Sequence, residues 1–184
     1  MAKMQIRFTG VGGQGIILAG DILCDAAIKA EKHSVKIGTY TSQVRGGPTV
    51  IDVLCDEDEI YYPYAIDGEI DFMLSVADSS YQIFKKGVRP GSIIVIDPNL
   101  VHPTDDDRKT WRVIEIPVVE IAKKEIGHIA TQSTLALGIA VHITKCVNAD
   151  VLLESILKKV PKKLQEANTK AFELGIKYAK EKCE

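Results

Sequence analysis

The stretch Gln5-Ile6-Arg7-Phe8-Thr9-Gly10-Val11-Gly12-Gly13-Gln14-Gly15-Ile16 decides the fold. Gln5–Thr9 alternates and then enters glycine, the pattern of a β-strand running into a turn. Ile16, Ala19, Ile22, Leu23, Ala26 and Ala27 then recur at helical spacing across Gly15–Ala30. Ser34–Tyr40 is a second strand. The chain therefore opens strand–glycine loop–helix–strand, a crossover unit that implies parallel strands and a right-handed connection.

Further along, Thr49–Cys55 is a strand and Asp56–Glu59 an acidic turn. Ile60–Ala65 is a short strand broken by Pro63. These two strands predict an antiparallel hairpin at a sheet edge, where charge and proline discourage aggregation. Ile70–Ala77 and Ser92–Ile96 are nearly all apolar, as buried central strands are. Ser79–Lys86 between them is a short helix, with Asp78 or Ser79 as its N-cap. Trp111–Ile116 is one more strand, and Pro117 sits as the first residue of a helix reaching about Ile126. Thr131–Cys146 has apolar residues all round the helix axis, so it is a buried helix. Asp150 is the expected N-cap of Val151–Val160, and Pro161 starts the last helix. In that helix Asn168 and Gly175 fall within the apolar arc, Asn168 to bond a neighbouring backbone and Gly175 to allow close helix contact. The expected fold class is α/β, one Rossmann-like doubly wound domain over residues 1–184. It has a mostly parallel sheet, an antiparallel edge hairpin and a helical C-terminal end of about 131–182.

Composition narrows the function. The chain has 184 residues, 46% of them hydrophobic and 6% aromatic, so its core is aliphatic. Lys plus Arg number 23 and Asp plus Glu 25, a net charge of −2, which leaves no basic footprint for nucleic acid or anionic membrane. The charge is uneven: Gly46–Phe84 holds nine acidic residues and no Lys or Arg, whereas the chain from Val151 onward is lysine-rich. Cys24, Cys55, Cys146 and Cys183 lie far apart, without a Cys-x-x-Cys pair. That argues against a zinc site or iron–sulfur cluster held by this chain alone, and for thiols kept reduced. No stretch reads as a signal peptide or a bilayer-crossing helix, so the expected location is the cytoplasm.

Two segments carry chemistry. Gly10, Gly12 and Gly15 satisfy G-x-G-x-x-G, with Gly13 and Gln14 between them. Glycine permits a positive φ and leaves no side chain between backbone and ligand. Amides at the helix start, helped by the helix dipole, then face an anion. The alternative is that Gly15 only lets helix and strand pack closely. A nicotinamide dinucleotide is a weaker reading, because an acidic residue belongs at the end of the second strand. Here that strand ends Lys36-Ile37-Gly38-Thr39-Tyr40-Thr41, and Glu31 precedes it. The second segment is Ser42-Gln43-Val44-Arg45-Gly46-Gly47-Pro48, at the carboxyl edge where such sheets bind ligands. Arg45 is the only cation between Lys36 and Lys85. It reads equally as an anion clamp and as a surface partner of the acidic hairpin. His33, His102, His128 and His142 form no catalytic set, and no general acid–base pair stands out.

Taken together, Gly10-Val11-Gly12-Gly13-Gln14-Gly15, Tyr40-x-Ser42-x-x-Arg45-Gly46-Gly47 and Asn168-Thr169-x-Ala171-Phe172-x-x-Gly175 resemble the gamma subunit of the 2-oxoacid:ferredoxin oxidoreductases. The likeness runs from Gln5 to about Tyr178 and is greatest to the 2-oxoglutarate type. It implies a gamma-type domain in an oxidoreductase complex that turns a 2-oxoacid into its acyl-CoA. It implies thiamine diphosphate, magnesium, iron–sulfur clusters and coenzyme A in the complex, none held by this chain alone. Implied partners are alpha, beta and ferredoxin-like delta subunits and ferredoxin or a similar acceptor. Gly10, Gly12, Gly13, Gln14, Gly15, Ser42, Arg45, Gly46 and Gly47 are then the candidate coenzyme A or anion contacts, with no catalytic residue and no metal ligand. Two other readings stand beside it: a stand-alone NAD(P)-binding dehydrogenase, and a non-enzymatic adaptor.

Overall fold

A computed structural model of the chain describes residues 3–39 and 46–183. Among the described residues six strands form one sheet: β1 (Met4–Val11), β2 (His33–Gly38), β3 (Pro48–Asp56), β4 (Ile70–Ser75), β5 (Val88–Ile96) and β6 (Arg112–Glu115). Their order is β2-β3-β1-β4-β5-β6. The pairs β1–β4, β4–β5 and β5–β6 are parallel, while β3 runs antiparallel to both β1 and β2. The sheet is mostly parallel, and the antiparallel pair β2–β3 forms one edge.

The opening crossover survives with one strand inserted. Helix α1 (Ile16–Lys29) carries the chain from β1 to β2, two strands run the same way, and β3 lies between them. A helix about 10 Å wide spans two strand spacings of about 4.8 Å, so the gap suits α1. Gly20 seats α1 on the inserted strand: a Cβ there would come within 2.6 Å of Ile51 Cγ1. The expected partner of β3, Ile60–Ala65, is not a strand. Both edges of β3 are already taken by β1 and β2, and Pro63 has no N–H to donate. The segment runs instead as an exposed strap.

Helices cover both faces. α1 lies on one side with α5 (Gln132–Thr144), α6 (Ala149–Lys159) and α7 (Gln165–Cys183), and this side holds the larger core, including Ile6, Phe8, Ile51, Phe72 and Leu74. α2 (Asp78–Phe84) lies on the other with Met73, Tyr81 and Ile94. The short α3 (Asp105–Thr110) was not legible in the periodicity. It is held by a capping box, in which Thr104 Oγ1 accepts the Asp107 amide and the Asp107 carboxylate accepts the Thr104 amide. α4 (Val118–Ile121) follows Pro117, which caps it, and passes through a π turn to Gly127. Two caps differ from expectation. Ala77, not Asp78 or Ser79, is the N-cap of α2, because the Asp78 carboxylate is engaged by the His102 amide at 2.9 Å. Asn148, not Asp150, caps α6, its side chain accepting the Asp150 amide at 2.7 Å.

The helix α5 is buried from Gln132 to Val141, as its all-round apolar character predicts. Asn168 and Gly175 do what their positions suggest. Asn168 Nδ2 donates to the Leu164 carbonyl at 2.8 Å, and its Oδ1 accepts the Thr134 hydroxyl at 2.6 Å. Gly175 packs against Gly138. Cys24, Cys55 and Cys146 are buried, though Cys146 lies just past the end of α5 rather than within it.

Candidate functional site

The site is built where the topology reverses. From β1 the chain leaves by α1 toward β2, and from β4 it leaves by α2 toward β5, on the other face and in the other direction. The crevice outside the carboxyl ends of β1 and β4 is where sheets of this kind take ligands. The glycine turn Gly10–Gly15 sits there.

Each glycine in the turn has a different constraint. Gly10 has no room for a side chain, since a Cβ would lie 2.6 Å from Gln14 Oε1 and 2.8 Å from Ile16 Cγ1. Gly13 and Gly15 hold φ of 102° and 75°, the left-handed region that favours glycine. Among the described residues, and its two chain neighbours apart, none comes within 4 Å of a would-be Cβ on Gly13, which is exposed. Around Gly15 the neighbour is Ser133 of α5, whose Oγ would lie 3.3 Å from an added Cβ. Gly15 thus both starts α1 and lets the beginning of α5 approach, so close packing is part of its role.

Gln14 is the strut of the crevice. Its Oε1 accepts the Val11 amide at 2.8 Å and its Nε2 donates to the Val76 carbonyl at 3.1 Å, just beyond β4. From α2, the Ser80 hydroxyl donates to the Gly10 carbonyl. Gln14 and Ser80 therefore clamp the turn to both sides of the switch point. Neither contact is visible in the sequence, since they join residues 62 and 70 positions apart.

The second segment meets the first. The Gly12 amide donates to the Gly47 carbonyl at 3.1 Å, and Gly46 has φ 78°. Antiparallel β3 begins at the edge where β1 ends, with Val11 opposite Pro48, which brings Gly46–Gly47 beside the glycine turn. Ser42 and Arg45 lie outside the described residues. β2 ends at Gly38 with Thr39 after it, so the described end of that strand offers no carboxylate for a ribose.

The electrostatics suit an anion. Among the described residues no side chain caps the N-terminus of α1, and its first turn has no acidic residue. The first-turn amides have no acceptor within the helix, and the dipole adds partial positive charge. Among the described residues no three His, Cys, Asp or Glu side chains gather as a metal ligand set, and no helix is long and apolar enough to cross a membrane.

Residues 5–178 match the family described as pyruvate ferredoxin/flavodoxin oxidoreductase. The chain belongs to this family. Its relatives in the pyruvate ferredoxin/flavodoxin oxidoreductase family include chains of similar length and longer ones. The 2-oxoglutarate synthase subunit KorC of Methanocaldococcus jannaschii is 31% identical over 97% of this chain and 95% of its own length. The gamma subunit of a keto/oxoacid ferredoxin oxidoreductase from Geobacter sulfurreducens superposes with a TM-score of 0.86 at 26% identity, over 99% of both chains. The fold recurs in a 2-oxoglutarate:ferredoxin oxidoreductase from Magnetococcus marinus bound to 2-oxoglutarate, coenzyme A and succinyl-CoA. There the TM-score is 0.86 at 24% identity, and this chain matches 31% of that longer one. The relatives are thus oxidoreductase subunits, and the same fold occurs both as a separate chain and as part of a longer one.

Proposed function

We propose that this chain is the gamma-type subunit of a 2-oxoacid:ferredoxin oxidoreductase acting on 2-oxoglutarate or a related 2-oxoacid. The unit is the whole of residues 1–184, and it performs no chemistry of its own. Its partners are alpha, beta and ferredoxin-like delta subunits, in the cytoplasm, with ferredoxin or a similar acceptor taking the electrons. Thiamine diphosphate, magnesium and iron–sulfur clusters belong to those partners.

The contact between Gly12 and Gly47 carries the second half of the reading. It supports one anion site made from the amides of Gly13 and Gly15 and the segment Ser42–Gly47, with the Gly12 amide holding the two segments together. Coenzyme A supplies phosphates of the right charge. Gln14 keeps the turn in shape, Gly10 and Gly15 keep side chains out of it, and Arg45 supplies the positive charge.

The test is kinetic, on the assembled complex. Arg45→Ala is expected to raise KM for coenzyme A at least tenfold, in line with about 1.5–3 kcal/mol for a charged hydrogen bond, and to leave KM for the 2-oxoacid unchanged. If both constants stay put, the anion role is wrong and the chain acts as an adaptor. A native preparation in which the chain travels without thiamine- and cluster-binding partners would sink the subunit assignment itself.

A further inference from the structure

The strap between β3 and β4 has no role in the site above. It begins with four carboxylates, Asp56-Glu57-Asp58-Glu59, and continues Ile60-Tyr61-Tyr62-Pro63-Tyr64-Ala65. Tyr61, Tyr62 and Tyr64 are 86%, 59% and 57% exposed. Half of the chain's six tyrosines therefore stand in solvent within four positions. The strap is held at its ends. The Asp58 amide donates to Asp56 Oδ1 at 3.2 Å, the Ile66 amide to Gln5 Oε1 at 2.9 Å, and the Gly68 amide to the Gly87 carbonyl at 2.9 Å. Ala65 packs against the core under α2, and the rings of Tyr62 and Tyr64 lie 5.4 Å apart. An anchored backbone thus carries a ridge of rings outward.

Contiguous exposed aromatic surface on a folded domain marks an interaction site. Tyrosine gives large contact area with few rotamers to immobilise, and it is enriched in interface centres. The charge around it selects the partner. Gly46–Phe84 contains no Lys or Arg, and Asp58 and Glu59 form no ion pair among the described residues. Exposed carboxylates beside tyrosine faces suit Arg and Lys, which pair with the former and stack on the latter.

We infer that the strap Asp56–Ile66 docks a different subunit of the assembly, through a face that is apolar at its centre and ringed by Arg and Lys. A second copy of this chain fits less well. Its lysine-rich helices are partly committed, Lys158 to Glu154, Lys159 to Asp25 and Lys170 to the Glu125 carbonyl. The inference rests on the subunit reading above, yet it concerns a surface separate from the glycine turn.

Hydrogen exchange on the purified complex and on the free full-length chain tests it. Peptides covering 57–66 are expected to exchange at least tenfold more slowly in the complex. Zero-length carboxyl–amine coupling is expected to join Asp58 or Glu59 to a lysine of another subunit. The triple variant Tyr61→Ser, Tyr62→Ser, Tyr64→Ser and the double variant Asp58→Lys, Glu59→Lys alter exposed positions, so the melting temperature of the free chain should hold while co-purification falls at least tenfold. Equal exchange in both states, or coupling only to a second copy of this chain, overturns the inference. Equal exchange in a complex that does contain the chain leaves the subunit reading intact; a chain that purifies alone overturns both.

Discussion

Gly138 and Gly175 meet backbone to backbone where α5 crosses α7: a Cβ on Gly138 would lie 3.2 Å from the Gly175 Cα, and one on Gly175 would lie 3.1 Å from the Gly138 Cα. Each would also run into a main-chain carbonyl, that of Phe172 or Leu135. Neither obstacle can rotate away. Gly138→Ala is expected to force the helices apart and cost about 1–3 kcal/mol, typical of an overpacked core. For a domain of this size that lowers the melting temperature by roughly 2–12 °C. Thermal denaturation followed by circular dichroism measures it.

Arg7 and Asp52 face each other across β1 and β3 and form a buried bidentate pair, Nε to Oδ1 at 2.7 Å and Nη2 to Oδ2 at 2.8 Å. Arg7 Nη1 also donates to the Phe84 carbonyl at 2.9 Å, tying in the end of α2. Removing one partner leaves an uncompensated buried charge. Arg7→Met or Asp52→Leu alone should each cost about 3–5 kcal/mol, whereas the double variant should recover much of the loss. Urea denaturation of the four proteins gives the coupling. Additive losses would contradict the expectation.

Gln14 is expected to matter for the shape of the glycine turn rather than for its charge. Gln14→Glu keeps an acceptor for the Val11 amide but no donor for the Val76 carbonyl. It also places a carboxylate beside the α1 N-terminus. The variant should lose about 1–3 kcal/mol of stability. In the complex it should also weaken coenzyme A binding, read by isothermal titration.

Asp107 gives a pH signature. Burial alone would raise its carboxyl, but the Lys85 ammonium at 2.8 Å and the Thr104 amide outweigh burial and hold it below the ordinary 3.8. A carboxyl lowered in the folded state adds stability that is fully present above its unfolded pKa and is lost as the pH falls through the folded one. Asp107→Asn should therefore be less stable than the parent by a constant amount between pH 5 and 7. The gap should close below about pH 3.8. A gap that widens in acid would refute this assignment.

The thiols should separate by burial. Burial pushes Cys55 up to about 12 and raises Cys146 as well, and neither side chain is open to solvent. Cys183, near the end of α7, is partly exposed. Alkylation of the native chain at pH 8 should label Cys183 first, with Cys24, Cys55 and Cys146 reacting only on unfolding. Mass spectrometry of the labelled peptides decides it.

The strand–glycine turn–helix opening, the buried α5 and the roles of Asn168 and Gly175 were legible because they follow from neighbours within a strand repeat or a few helical turns. The candidate site was legible in part. The two glycine segments stood out by composition, and the rule for sheet edges placed both at the carboxyl ends. The clamp of Gln14 and Ser80 was not legible, because its bonds end on backbone carbonyls that no residue type announces. The strap depends on a different long-range fact, the pairing of both edges of β3. Ile60–Ala65 has strand composition, but composition does not say whether β3 still has a free edge.

By itself the sequence determined which segments bury an apolar face, where glycine must bend the chain, and the uneven charge that leaves the strap acidic. Tertiary structure alone decided that β3 slides between β1 and β2, that Gly12 meets Gly47, and that Arg7 finds Asp52 45 positions away. Periodicity encodes which way a side chain faces within its own element. Which strand lies alongside is settled only when all the elements compete for the same unpaired backbone edges.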